Sequence, residues 1–436
     1  MKQTYFREFL HYTILNVFGM IGLSCYILAD TFFVSKGLGV NGLAALNIGI
    51  PAYSFIGGSG LMLGIGGATR FSIFSSRNQK TEAQRIFTET LITGIIFSIF
   101  FVILGLFFTG PIARLLGADA ETYEMTFTYI RILFLFAPAF IMNNILNSFV
   151  RNDGNPKIAM MAMLIGSFAN IVFDYIFIFP FGLGIFGAAI ATGTAPLIGI
   201  GILSLHIFSK NSSLRCVKSP LRLKETLFTI SLGLPSLIAE VASGVVMIVF
   251  NQLILGLEGN VGVAAYGIIA NIALVIIAIY NGISQGMQPL LSRFYGKRDQ
   301  KGMSQVLKYG ILAELLVSVF IYVTLTQFAT PIAGAFNSEH NATLQAIAEM
   351  GLAIYFLAIP FAGANIILST YFTSNEKALP AQLISILRGL VLIIPVAVIM
   401  AVTAGTIGVW CSYPMTEVMV TVIGVGLWIR YRKTGV

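Results

Sequence analysis

Asn170 and Asp174 stand one helical turn apart in the stretch 166–179 (GSFANIVFDYIFIF), which is otherwise apolar enough to cross a membrane. Residues i and i+4 share one helix face, and Ser167 adds a third polar group to that face. A carboxylate at mid-bilayer costs about 2.5–3.5 kcal/mol on the insertion scale, so Asp174 must face the protein interior, where it is a candidate for handling ions or substrate. Two further acids lie at depth: Asp30 in YILADTFF (26–33) and Glu240 in LPSLIAE (234–240). Asp30 has two readings, an outer-end residue solvated by the following Ser35-Lys36-Gly37 or a buried partner of Asp174. Glu314 and Glu417 also sit in apolar runs, where nothing in the sequence converges on them, and they read as structural pairs or snorkelling groups. The chemistry open to these acids is binding, not bond making. The three histidines (His11, His206, His340) fall on scattered segments, and Cys25, Cys216 and Cys411 have no metal or redox spacing and read as free thiols. The chain is therefore not read as an enzyme. The glycine runs GGSG (57–60) and GIGG (64–67) lie inside a spanning helix without a P-loop Lys-Ser/Thr, so they read as close helix packing rather than a phosphate cradle.

The elements that carry these groups are membrane spans. The chain is 57% hydrophobic and 10% charged, with mean hydropathy +0.87, against about 25% charge in a soluble domain. Apolar runs of about 20 residues mark twelve spans, near 9–34, 43–68, 86–108, 128–150, 157–179, 186–208, 226–255, 261–288, 306–329, 346–372, 380–402 and 405–429. The expected fold is an all-α integral membrane protein of twelve transmembrane helices. Of the 26 cations, all but Lys36, Arg114 and Arg131 fall on alternate loops and the two termini, which places both termini in the cytoplasm of a multi-pass protein of the cell membrane. The acids Asp119, Glu121, Glu124, Glu258 and Glu339 fall on the other side. The net charge of +8 is spread over short loops without a stripe, so nucleic acid is not an expected partner. The apolar run after Lys2 and Arg7 is too long for a signal peptide and has no small-residue cleavage site, so the first helix is read as retained.

The chain repeats itself. GVNGLAALNI (39–48) matches GNVGVAAYGI (259–268) at an offset of 220, as Pro111-Ile112-Ala113 matches Pro331-Ile332-Ala333. Two residues further on, Pro138, Asn143, Ile145 and Leu146 match Pro360, Asn365, Ile367 and Leu368. The expected organisation is an N-lobe over 1–208 (helices 1–6), a cytoplasmic basic linker over 209–225 and a C-lobe over 226–436 (helices 7–12). Repeats of this kind place substrate near the midplane between halves that rock against each other. The buried acids break the symmetry. Asp174 and Asn170 fall opposite apolar residues near Val396 and Leu392, Glu240 opposite Met20, and Asp30 near Phe250. Packing does not require that difference.

Several of these motifs also resemble the multidrug and toxic compound extrusion (MATE) transporters. They are Asp30-Thr31-Phe32-Phe33-Val34 with GLAAL at 42–46, GMQPL at 286–290 with GKRD at 296–299, and Asn170-x-x-x-Asp174 with GAAIAT at 187–192. The resemblance covers nearly the whole chain and is greatest to the MepA-like bacterial branch. It implies two six-helix lobes around a V-shaped cavity. It also implies export of organic cations or lipophilic drugs, and hence a part in antibiotic resistance, against entering H⁺ or Na⁺, with no cofactor beyond that ion. A coupling-cation site is implied at Asp30, Asn170, Asp174 and Thr192, which is a metal site only if the ion is Na⁺. Substrate contacts are implied at Asp174, Glu240 and Met287. The expected partners are small organic cations and drugs and the lipid bilayer, with the chain acting as a monomer. Two departures stand out: no proline precedes Pro51, so helix 1 lacks the proline some members carry, and Asn365 replaces the acid some members have on helix 10.

The mechanism expected from the residues is competition for one negative pocket, since two carboxylates in low dielectric repel and a proton, a sodium ion or a cationic drug relieves that repulsion. One elementary charge moving inward supplies ~2.3 kcal/mol per 100 mV, more than a tenfold gradient at ~1.4 kcal/mol per decade. The alternative is a lipid or polysaccharide flippase of the same superfamily, for which fourteen helices and a cationic cavity would be usual. A membrane enzyme and a passive channel rank below it.

Overall fold

The computed structural model describes residues 2–337 and 341–434 of the chain. Glu339 and His340 lie outside the described residues, as do the side chains of Lys2 and Lys433. Among the described residues the secondary structure is helical, with no strand, as expected where lipid cannot satisfy backbone N–H and C=O groups. Three rods are far too long for one crossing: Lys2–Ser76, Leu223–Gly296 and Ile393–Thr434. The first has 75 residues, or roughly 110 Å at 1.5 Å per residue, against a hydrocarbon core of about 30 Å. Each is broken at a single glycine in a conformation that only glycine adopts readily: Gly39 (φ 68°, ψ −157°), Gly259 (φ 63°, ψ −156°) and Gly405 (φ 60°, ψ −141°).

With those breaks, the described residues form twelve spans. They are α1 (2–38), α2 (40–76), α3 (Lys80–Phe107), α4 (123–152), α5 (Pro156–Ile178), α6 (Gly184–Ile207), α7 (223–258), α8 (260–296), α9 (Gln300–Gln327), α10 (342–374), α11 (378–404) and α12 (406–434). The sequence places loops at 35–42 and 256–260. Helix instead runs up to Gly39 and Gly259 from both sides, because Ser35, Lys36 and Leu38 carry no backbone breaker and the glycine alone turns the chain. α4 bends by 48° before Pro138, and α10 has its counterpart break at Phe356–Ala358 before Pro360, where proline has no N–H to continue the ladder.

The repeat is written into the backbone. Left-handed residues recur at Gly39 and Gly259, at Asn78 (φ 61°) and Arg298 (φ 57°), and at Gly154 (φ 90°) and Glu376 (φ 57°). Short helices Thr109–Leu115 and Ala329–Phe336 occupy matching places. Gly259 has open space where a Cβ would stand, so Gly259→Ala isolates the backbone cost, about 1–3 kcal/mol for that region. We expect a lower thermal midpoint for this variant in detergent, and an unchanged midpoint would show that the turn tolerates a side chain.

Two apolar cores form, one built around Ile141, Ile145 and Phe149, the other around Ile269, Tyr280 and Trp410. Each takes in a piece of the other half: Phe9 of α1 joins the second, and Leu234 and Leu237 of α7 pack on the first. The halves are closest toward the face that carries both termini. There a Cβ on Gly233 would overlap the Met62 carbonyl and one on Gly66 the Thr229 carbonyl, so glycine is what lets α2 and α7 approach backbone to backbone. Polar ties join the halves at this face. Tyr5 donates to Asp299 Oδ2 at 2.8 Å, Asn152 to Gln288 Oε1 at 2.9 Å, and Gln288 to Thr69 Oγ1 at 2.8 Å. Arg293 pairs with Glu8, and Arg70 with Glu225. Arg151, 1% exposed, donates from Nη1 to Asn16 Oδ1 and to Gln285 Oε1, each at 2.8 Å. Toward the opposite face helices meet neighbours of their own half: Gly22 meets Leu164, Gly37 meets Ile178, and Phe250 stacks on Tyr266 and meets Tyr355 edge-on. The basic segment after α6 is tied down by Asp153, whose Oδ2 lies 2.8 Å from His206 Nε2 and accepts from Ser213 N at 3.0 Å.

Candidate functional site

α5 and α6 bring three of the polar residues together. Asn170 and Asp174 are both 0% exposed and Thr192 is 4% exposed. The amide orientation that satisfies both neighbours has Asn170 donating to Asp174 Oδ2 at 3.0 Å and accepting from Thr192 N at 3.2 Å. The Thr192 hydroxyl donates to the Ala188 carbonyl at 3.0 Å. Ser167, on the same face, is also buried. Asn155 caps the start of α5, its side chain accepting from Ile158 N at 3.2 Å, and Pro156 follows at the first helical position.

Asp30 resolves its two readings in favour of burial. It is 6% exposed on α1 and stands close enough to Asp174 for the two carboxylates to repel. The residues expected to solvate it, 35–37, are instead part of the helix and pack on α5 through Gly37 and Ile178. One oxygen of each acid, Asp30 Oδ1 and Asp174 Oδ1, has no hydrogen-bond partner. No Lys, Arg or His is ion-paired with either acid among the described residues. Two carboxylates with two unpartnered oxygens, enclosed together, have the chemistry to hold a small positive charge.

Three tyrosines that the sequence reading did not single out complete the surroundings. Tyr129 of α4 stands beside Asp30, Asp174 and Thr192. The Tyr26 hydroxyl, one turn before Asp30, lies 2.9 Å from that of Tyr53 on α2. Tyr53 in turn lies within the electrostatic reach of both Asp30 and Glu240. The i, i+4 spacing of Tyr26 and Asp30 was the only sequence signal for any of them.

Glu240 does not join the carboxylate pair. It is partly exposed on α7 against α2, where a Cβ on Gly58 would lie 3.2 Å from its own Cβ. That position is two turns beyond the Gly233–Met62 approach, where the halves begin to part. Met287 is 0% exposed on α8, with its sulfur against Gly310 of α9, inside the second core. In the C-terminal half, Glu417 of α12 accepts from Arg388 Nη2 at 2.7 Å and from Asn365 Nδ2 at 2.7 Å. Arg388, counted from the sequence among the loop cations, thus lies within α11 on a π-helical turn at Leu387–Val391 and is committed to an ion pair.

The sodium reading can be tested on the donor set. With Asn170 donating to Asp174, its carbonyl is held by the Thr192 N–H, which leaves the two unpartnered carboxylate oxygens. A proton needs one of these. A sodium ion needs several oxygens converging on it, and the amide would have to turn its carbonyl inward and give up Thr192 N.

The comparisons with known proteins agree with this fold. The MatE family sequence model matches residues 16–176 and 235–399. Multidrug export protein MepA of Staphylococcus saprophyticus is 26% identical over 95% of this chain and 92% of its own length. MepA of Staphylococcus aureus strain MRSA252 is 27% identical with the same coverage. Among solved structures, an outward-facing multidrug resistance MATE family transporter of the MOP superfamily is 25% identical, with TM-score 0.91 over 98% of this chain and 96% of that one. A MOP superfamily transporter from Pyrococcus furiosus, described by the reverse polarity of its binding pocket, is 26% identical, with TM-score 0.89 over 98% and 95%. The chain belongs to the MatE family of multidrug and toxic compound extrusion transporters.

Proposed function

We propose that this protein exports organic cations and lipophilic drugs across the cell membrane by alternating access, driven by a monovalent cation that binds at Asp30, Asn170, Asp174 and Thr192. The observation that carries the reading is the buried carboxylate pair, with no Lys, Arg or His ion-paired to it among the described residues. Its charge is answered only by a bound ion or a cationic substrate, and mutually exclusive binding of the two couples their movements. A proton needs only one of the unpartnered carboxylate oxygens where Na⁺ needs several, which favours a proton. The two halves, 1–208 and 226–436, act as lobes that rock about the ties at the terminal face. With that face cytoplasmic, as the cation distribution implies, the described arrangement is outward-facing. The site lies within one chain, so a monomer suffices. The multidrug export ascribed to the MepA relatives supports this substrate class.

The test is efflux of a fluorescent organic cation from proteoliposomes under a pH gradient and a Na⁺ gradient imposed separately. We expect efflux with the pH gradient. Efflux with neither gradient would overturn coupled export and favour the flippase reading.

Glu240, at the point where the lobes part, is read as a substrate contact, with Met287 shaping the wall of the C-terminal lobe from behind. For Glu240→Gln we expect transport of cationic substrates to fall at least about tenfold, near 1.4 kcal/mol, and that of neutral ones to fall less. Equal losses for both classes would assign Glu240 a structural role.

A further inference from the structure

Glu314, in the middle of α9, is 1% exposed. Its Oε1 accepts from Ser318 Oγ at 2.6 Å, and Ser318 Oγ lies 2.6 Å from the Tyr280 hydroxyl of α8. Ser318 and Tyr280 are buried as well. The second oxygen, Oε2, has no hydrogen-bond partner. Room for the carboxyl comes from Gly363 of α10, where a Cβ would overlap it. No Lys, Arg or His is ion-paired with it among the described residues. α8 presents Tyr280, and α10 presents a glycine with no titratable group. Beyond Tyr280 comes Tyr413 of α12, which stands by the already balanced Arg388–Glu417 pair. Among the described residues, Glu314 is thus the one buried acid of the C-terminal half without an ion-pair partner.

The repeat shows that packing does not need an acid here. At the offset of 220 the N-terminal half has Gly94 opposite Glu314, and at the offset of 222 it has Ile141 opposite Gly363. Gly94 packs on Ile141, Ile145 and Met142. The serine is kept, since Ser98 matches Ser318 and donates to the Gly94 carbonyl at 2.7 Å. One half fills this contact with isoleucine against glycine; the other reverses the sizes and fills it with a carboxyl against glycine.

We propose that Glu314, held by Ser318 and Tyr280, is a proton-binding site of the C-terminal half, separate from the Asp30–Asp174 pair. Uptake converts the carboxylate to the acid, with the proton on the unpartnered Oε2 while Oε1 keeps its bond from Ser318. Release leaves an isolated charge in a dry bundle, which is costly, so the proton leaves only when this half rearranges and lets the charge be solvated or paired.

The site is read by infrared difference spectroscopy on the purified full chain in lipid, between acidic and alkaline buffer. In the wild type we expect a protonated-carboxyl C=O band that is lost on the alkaline side and is missing in Glu314→Gln. Ser318→Ala should keep that band but shift its frequency, because the bond to Oε1 is gone. Identical bands in wild type and Glu314→Gln would overturn the proposal. So would a Glu314 band that persists throughout, since that proton would be structural. If Glu314→Gln fails to fold, an unchanged spectrum in Ser318→Ala is the overturning result. Asp174→Asn measured in parallel removes a different band, so the two sites stand or fall separately.

Discussion

Asp174→Asn is expected to reduce gradient-driven efflux to the level of protein-free liposomes while leaving the amount of membrane-inserted protein unchanged. The substitution keeps the shape of the side chain and a partner for Asn170, and it removes the charge that ion and substrate compete for. Asp30 alone then has no like charge beside it, and the repulsion that binding relieves is gone. Coupling between two ligands is reciprocal, so the loss also shows at equilibrium. In the wild type, raising the pH withdraws the competing proton, and the affinity for a cationic drug should rise. In Asp174→Asn the affinity should be weaker by about tenfold, on the order of 1.4 kcal/mol, and nearly flat with pH. Binding of a fluorescent cation titrated at several pH values checks this. Undiminished gradient-driven efflux in the variant would remove Asp174 from the mechanism.

Much of this site was legible in the sequence because its parts are local. Asn170 and Asp174 reveal themselves by i, i+4 spacing within one apolar span, and the twelve spans follow from hydropathy alone. Asp30 lies far from them in the chain, so its sequence reading stayed divided between solvation and burial, and Thr192 came only through the resemblance. Tyr26, Tyr53 and Tyr129 escaped because an aromatic residue in an apolar helix carries no periodic signal that separates a pocket wall from a lipid face. Glu417 read as a structural pair, but its partner Arg388, 29 residues away on another helix, passed for a loop cation. The one-residue turns at Gly39 and Gly259 read as loops because hydropathy windows blur a single reversal. Least legible were the ties across the terminal face. Gln288 and Thr69 are separated by 219 residues and Arg293 and Glu8 by 285, and no local pattern records such pairs.

Those ties make Arg70 the second position of large expected effect. It is 4% exposed on α2, yet its polar partners belong to the other half. Nη1 donates to the Glu225 carbonyl and to Thr229 Oγ1, each at 3.1 Å, Nη2 binds the Glu225 carboxylate, and Nε lies 3.7 Å from Glu376 Oε1. The rings of Phe74 and Phe228 cover the guanidinium at 5.6 and 5.2 Å, so both faces of the ion are enclosed. Removing it takes away the cation that pairs with Glu225 and Glu376 and leaves the two like charges facing each other. A fully buried broken pair costs about 3–5 kcal/mol, but the Glu225 side chain is 37% exposed, and solvent screening brings our expectation to about 2 kcal/mol. Because these contacts exist only while the terminal face is closed, the loss falls on one state of the cycle. It shifts the closed-to-open ratio by roughly 30-fold. Arg70→Lys keeps the charge but loses the fork that serves Glu225 and Thr229 together, and should fall between the two. The readout is labelling of Ser72→Cys by a membrane-impermeant maleimide, with Cys25, Cys216 and Cys411 replaced by serine. Ser72 is 5% exposed in the closed face, so the probe should react slowly in the Arg70 background and much faster with Arg70→Ala. Equal protection in both would mean that the glycine-mediated approach of α2 and α7 holds the face shut without the ion pair.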